Sequence, residues 1–270
     1  MTCIVALMYA TKLLFSVVGR LYTGVYHSGL IYKNSNSFIV LMSGSKIFLQ
    51  QVLALLAKDL KTEWRTREIF TTMFVFTVLV IVVFNFAIGA DTELIRQVAS
   101  GVIWIALSFA SVLGLQRTGQ MESEEDSLQG VLLALHDRSV LFIAKMLAQM
   151  AYLLVVGLCT LPLCSIWFHL DFIACIGELG ILFLLGILGL SIVGTLFAMI
   201  TLHTRAREVM LPILFLPVSV PLIIASVYAT AQLIAGRTLR DIADYLSLIG
   251  VFDIVFFTLV LLVFDHVVED

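Results

Sequence analysis

From Ile69 to Gly89 the chain reads IFTTMFVFTVLVIVVFNFAIG, twenty-one residues without an aspartate, glutamate, lysine or arginine. The hydrocarbon core of a bilayer is crossed by a helix of about 20 such residues. Five more stretches of this kind follow, at roughly 98–115, 140–163, 174–202, 209–232 and 246–264. The composition agrees: 61% of the 270 residues are apolar and 13% charged, whereas a soluble domain carries about 25% charge to face water. The excess apolar surface has to meet lipid, so the chain is an all-α integral membrane protein with six transmembrane helices. A net charge of −3 is no footprint for nucleic acid.

Lys/Arg asymmetry sets the orientation. With six spans, one side holds Lys46, Lys58, Lys61, Arg65, Arg67, Arg117, Arg138, Lys145, Arg205 and Arg207, and the other Arg96, Arg237 and Arg240. Ten cations against three place both ends of the six-span region (69–270) in the cytoplasm. Residues 1–45 fit this plan poorly. Lys12 and Arg20 interrupt the apolar run 4–31, and no positive charge precedes it as a signal peptide requires. The segment reads as an extension, or the chain starts at Met42; a seventh span is the other reading.

Two amphipathic segments lie on the predicted cytoplasmic side. In residues 46–68, Leu49, Val52, Leu53, Leu56, Leu60 and Trp64 recur at helical spacing, and Lys58, Lys61 and Arg65 fall across the wheel. One apolar stripe with a basic back is the pattern of a helix lying in the membrane interface. The segment is either a plain anchor or a lever moving with the first span. The second lies in the longest connection, about 116–139. Glu122, Glu124, Glu125 and Asp126 precede Leu128, Val131, Leu132 and Leu135. Acids suit a helix start, and the leucine spacing predicts a short helix with one apolar face, suited to docking on a cytoplasmic partner; a solvated loop with a charge run is the other reading.

Reactive chemistry has no visible centre. The chain has no GxxxxGK[ST] phosphate loop, HExxH or GxSxG. Its five histidines are scattered, and Cys3, Cys159, Cys164 and Cys175 show no CxxC spacing. Polar residues inside spans are functional candidates by default, here Asn85, Gln149, Glu178 and Asp253. Glu178 and Asp253 read as lying toward the outer ends of their spans. Lys145, where the third span begins, can snorkel to the interface. Pro212, Pro217 and Pro221 share the fifth span, with Pro217 and Pro221 at i, i+4; they are either simply tolerated, as proline is in membrane helices, or make a bent helix that walls a pathway or bends during cycling. Gly177, Gly180, Gly186, Gly189 and Gly194 of the fourth span spread over several faces and form no GxxxG seam. Residues 236–245 read equally as a short amphipathic helix or a loop.

In order and spacing these pieces resemble one family. They are the KDL-x-x-E-x-R-x-R-E pattern at Lys58–Glu68, Ser100-Gly101-Val102-Ile103-Trp104 opening the second span, and Glu125-Asp126-Ser127-Leu128 in the loop. Ala144-Lys145-Met146-Leu147-Ala148 and Leu216-Pro217-Val218-Ser219-Val220-Pro221-Leu222-Ile223 follow. From about Lys46 to the end, the chain is similar to the CcmB family, the haem exporter B permeases of cytochrome c maturation. It departs from the family pattern at Ser100, where proline is usual, at Ser127, where glycine is usual, and at His136-Asp137-Arg138-Ser139, which replaces a proline-containing stretch.

The resemblance implies an ABC-2-like exporter permease in the bacterial inner membrane, with no enzymatic activity and no covalently bound cofactor of its own. Haem is the implied substrate. The implied partners are the ATPase CcmA, the membrane proteins CcmC and CcmD, indirectly the haem chaperone CcmE, and a second copy of the chain. ATP hydrolysis would drive haem export or release of the loaded chaperone. An unrelated substrate, or a non-transporting scaffold, are the competing expectations. Trp167-Phe168-His169-Leu170-Asp171 only faintly echoes a tryptophan-rich haem-handling motif.

Overall fold

The computed structural model describes residues 37–89, 92–124, 139–168, 172, 175–201 and 207–267. These residues are all helical apart from short turns. The helices are α1 (Ser37–Thr66), α2 (Glu68–Ile88), α3 (Thr92–Glu124), α4 (Ser139–Phe168), α5 (Ile176–Ile200), α6 (Arg207–Ile234) and α7 (Ala243–Val267). Two compact units are distinguished, Met1–Ile47 and Phe48–Asp270. In the first, the described residues are the opening turns of α1; the second holds the bundle. Helices α2 to α7 are each long and apolar enough to cross a membrane. A spanning segment must satisfy its own backbone in lipid, which a helix does by itself.

Helices α3 and α5 form the centre, each with 72% of its apolar window buried, against 17–39% for the other four. Helices α2 and α4 flank α3, α6 fills the angle between α3 and α5, and α7 closes against α5 and α6. The outer helices turn apolar side chains outward, such as Val75, Leu79, Val83 and Phe86 of α2 and Val251, Val255 and Leu262 of α7. Such a surface is stable only where the solvent is itself hydrocarbon.

The junction of α3, α5 and α6 rests on Trp104. Its ring is fully buried, lies 5.2 Å from the Phe183 ring centroid, and its Nε1–H donates to Thr230 Oγ1 at 2.8 Å. A buried indole needs such an acceptor. Gly186 makes room for the ring: a Cβ there would collide with it, 2.7 Å from Trp104 Cζ3.

Helix α3 differs from expectation. It continues as helix to Glu124, so residues 116–124, expected to open the loop, prolong the second span instead. Thirty-three residues rise ~50 Å, well past the ~30 Å hydrocarbon core. Helix α1 likewise starts earlier than expected, at Ser37. Residues 235–242 form consecutive turns, which decides for the loop over the short helix. Gly236 (φ 80) ends α6, with the Arg237 N–H donating to the Gln232 carbonyl at 3.0 Å, a Schellman closure. The Thr238 N–H and hydroxyl then donate to Asp241 Oδ2 at 2.9 and 3.0 Å, which holds the Asp241 carboxyl below its ordinary value.

Candidate functional site

Two polar constructions stand out in this apolar bundle. The first is a belt at the end where α1 lies. Helix α1 breaks from α2 at Arg67, the one non-glycine residue with positive φ (56) among the described residues. Glu63 supports the break. It is 7% exposed, and its carboxylate accepts the Phe70 N–H at 2.7 Å and the Ile69 N–H at 3.3 Å. Those donors belong to the first turn of α2, where no intrahelical acceptor exists, and the negative charge also suits the helix dipole.

One turn back on α1, Asp59 accepts from Lys145 Nζ of α4 at 2.8 Å, both side chains 15% exposed. Val52 packs on Val140 and Ala144 of α4 just above it. Across the bundle, Arg117 of α3 pairs with Glu68 of α2 and donates to Gln120 at 3.2 Å. Gln120 donates to Glu208 of α6 at 2.9 Å, and Gln116 Nε2 to the Glu208 carbonyl at 2.6 Å. Helices α1, α2, α3, α4 and α6 are thereby tied by polar contacts at one level. The connection 125–138 joins the two helices, α3 and α4, that carry Arg117 and Lys145.

Lys145 is held more tightly than a snorkelling lysine would be. Replacing it with methionine leaves Asp59 half-stranded at an apolar seam. A loss of about 1–3 kcal/mol is expected, and Asp59→Asn in the same background should return most of it. A double-mutant cycle on the melting temperature in detergent reads the coupling; additive effects would exclude the pair as a tie.

The sequence stripe on α1 divides in the structure. Val52 is buried against α4, while Leu49, Leu53, Leu60 and Trp64 remain exposed, Trp64 at 79%. At about 100° per residue these four fall on one narrow face. Asp59 and Glu63 lie beside it toward the bundle, and the exposed Lys58, Lys61 and Arg65 lie on the far side. The helix therefore has a bundle face, an apolar outer face and a cationic face.

The second construction is Asp253. Expected near an outer end, it lies at the middle of α7's apolar window, Ala243–Leu262. It is 5% exposed, against Gly189 of α5 and Leu222 of α6: a Cβ on Gly189 would collide with Asp253 Oδ1 and stand 2.7 Å from Leu222 Cδ2. Among the described residues, neither carboxyl oxygen has a hydrogen-bond partner, and the buried Ser219 and Ser226 hydroxyls of α6 also lack one. An unpaired carboxylate so placed would cost on the order of several kcal/mol.

Glu178 does lie at the far end, in the first turn of α5. Pro217 and Pro221 are exposed on the outer face of an uninterrupted α6, so they face away from the bundle core. Asn85 is half-buried on α2, and Gln149 Nε2 donates to the carbonyl and hydroxyl of Ser111 at 3.2 Å. Glu122 falls in the last turn of α3. Glu125, Asp126, Leu128, Leu132, Leu135 and His169 lie outside the described residues. The belt residues Asp59, Glu63, Glu68, Gln116, Arg117, Gln120 and Glu208 were missed. One signal was available: Asp59 and Glu63, four apart, share a face with Val52 and not with the lysines.

Comparison with known proteins gives this arrangement relatives. The chain is 28% identical over 170 residues to heme exporter protein B of Pseudomonas aeruginosa, covering 63% of this chain and 76% of that one. It is 29% identical over 171 residues to heme exporter protein B of Rhodobacter capsulatus (63% and 78%). Over 182 residues it is 28% identical to that of Escherichia coli K12 (65% and 78%). A family model described as CcmB protein matches residues 50–269, from the Val52 face of α1 through the whole of α7. With the belt, the Trp104 junction and Asp253 all inside that match, the chain belongs to the CcmB family.

Proposed function

We propose that this chain is the membrane permease subunit of a haem-export system serving cytochrome c maturation. A separate ATPase of the CcmA type drives it, and CcmC, CcmD and the chaperone CcmE act beside it. The observation carrying this reading is the CcmB match across the entire six-helix bundle, which includes the polar belt. The permease works as a pair of copies in the bacterial inner membrane, with both ends of the six-span region cytoplasmic. Haem is cargo here and not a resident group.

The belt supplies the mechanics. The ATPase docks on the connection 125–138, and a displacement there moves the ends of α3 and α4. Arg117 carries the movement to α2 through Glu68, and Gln120 carries it to α6 through Glu208. Lys145 carries it to α1 through Asp59, while Glu63 keeps α1 and α2 moving together. Polar ties at a membrane surface suit this role because they re-form in a second register at little cost, whereas the close-packed Trp104 junction deforms poorly. The result is haem export, or release of chaperone already loaded.

Deleting the gene should abolish assembly of c-type cytochromes, scored by haem staining, and the chain supplied in trans should restore it. Unaffected cytochromes would assign the permease another substrate. Leu132→Asp or Leu135→Asp should prevent ATPase association while leaving membrane insertion normal. Unchanged co-purification in both variants would remove the loop from the coupling route. A catalytically dead ATPase separates transport from scaffolding, since a scaffold keeps working without hydrolysis.

A further inference from the structure

We propose that Asp253 is a proton-binding site at the middle of the membrane, and that the bound proton holds α7 against α5 and α6. Gly189, residue 14 of α5, and Leu222, residue 16 of α6, mark the middle of their helices. The Asp253 carboxyl fills the space that a side chain at Gly189 would take, so the two helices meet across it. Among the described residues its oxygens have no partner, and Ser219 and Ser226, about one turn to either side of Leu222 on α6, carry buried hydroxyls that also lack one. The ionisable residues of the packed helices are remote. Glu178 lies eleven positions before Gly189 on α5, and Arg207 and Glu208 lie in the first turn of α6. Lys145 of α4 is engaged with Asp59. On α7 itself, Asp244 lies in the first turn and Asp265 and His266 in the last. With no cation facing it among the described residues, the group that completes this carboxyl is the smallest one, a proton.

As the neutral acid, Asp253 fits an apolar seam. As the anion it demands water or a counter-charge, and both require α7 to part from Gly189 and Leu222. Low pH therefore closes the seam and rising pH opens it. Nothing in this depends on whether haem is the cargo.

Infrared spectroscopy of the full-length chain in lipid bilayers reads the protonation state directly. At neutral pH a protonated-carboxyl C=O band should be present, shift when aspartate is ¹³C-labelled, fade as the pH is raised, and be absent from Asp253→Asn. No aspartate-derived band at neutral pH, or a band that survives in Asp253→Asn, would overturn the site. The labelling arm needs no substitution and so stands even if the variant folds poorly. Amide hydrogen exchange then tests the seam. Between about pH 6 and about pH 9, protection of the α7 segment around Asp253 should fall roughly tenfold more in the wild type than in Asp253→Asn. An equal change in both would show that the proton does not hold the helices together.

Discussion

Gly186→Val is expected to remove most of the folded protein from the membrane. A Cβ at Gly186 would already collide with the Trp104 ring and stand 3.2 Å from Ser226 Oγ; valine adds two methyl groups. The ring is fully buried, Phe183 leans against it, and its N–H is committed to Thr230. Turning it aside would strand a buried donor. Overpacking a filled site costs about 1–3 kcal/mol, and loss of that hydrogen bond adds about 1–3 more. Monodisperse yield in mild detergent should fall by about tenfold or more, because 1.4 kcal/mol is already tenfold in a folding equilibrium. Trimming the partner should help: Gly186→Ala combined with Trp104→Phe should be more stable than Gly186→Ala alone. If Gly186→Val melts with the wild type, the junction is looser than described.

Glu63→Ala should be the most damaging single change at the belt. It takes the acceptor from the Ile69 and Phe70 N–H groups at a helix break where Arg67 already holds a left-handed conformation. That conformation costs a non-glycine residue about 1–2 kcal/mol, and two orphaned donors add about 1–3 kcal/mol each if they stay dry. Hydrogen exchange at Ile69 and Phe70 should accelerate sharply, and cytochrome maturation should fall with it because α1 no longer follows α2. Adding Arg67→Gly relieves the backbone cost and should recover stability, yet not the coupling. Slow exchange at both amides in Glu63→Ala would mean that another group caps α2.

The spans were legible because a membrane helix is announced by length and apolarity alone, as Ile69–Gly89 shows. Their ends were less so. Gln116 to Glu124 is polar enough to read as loop, yet it stays helical because Arg117 and Gln120 find partners on α2 and α6. Those partners lie 49 and 88 residues away, and no local periodicity reports such pairings. The α1 stripe was visible, but 100° spacing alone does not tell a face against lipid from one against protein, and Val52 went the other way from Leu53. Trp104 stood out only as part of a family pattern; its reason, a glycine on α5 and a threonine on α6, is tertiary. Asp253 was singled out as an acid in a span, but its depth was misjudged because α7 begins at Ala243, earlier than its apolar run suggests.

In the proposed role the bundle is driven through its belt by a nucleotide-hydrolysing neighbour. The direct measurement is purification of the full chain from its native membrane in a detergent that keeps complexes whole, with the bound partners identified. A P-loop ATPase should co-elute and hydrolyse ATP. The chain recovered alone, in cells that still mature their c-type cytochromes after that ATPase is deleted, would contradict the account.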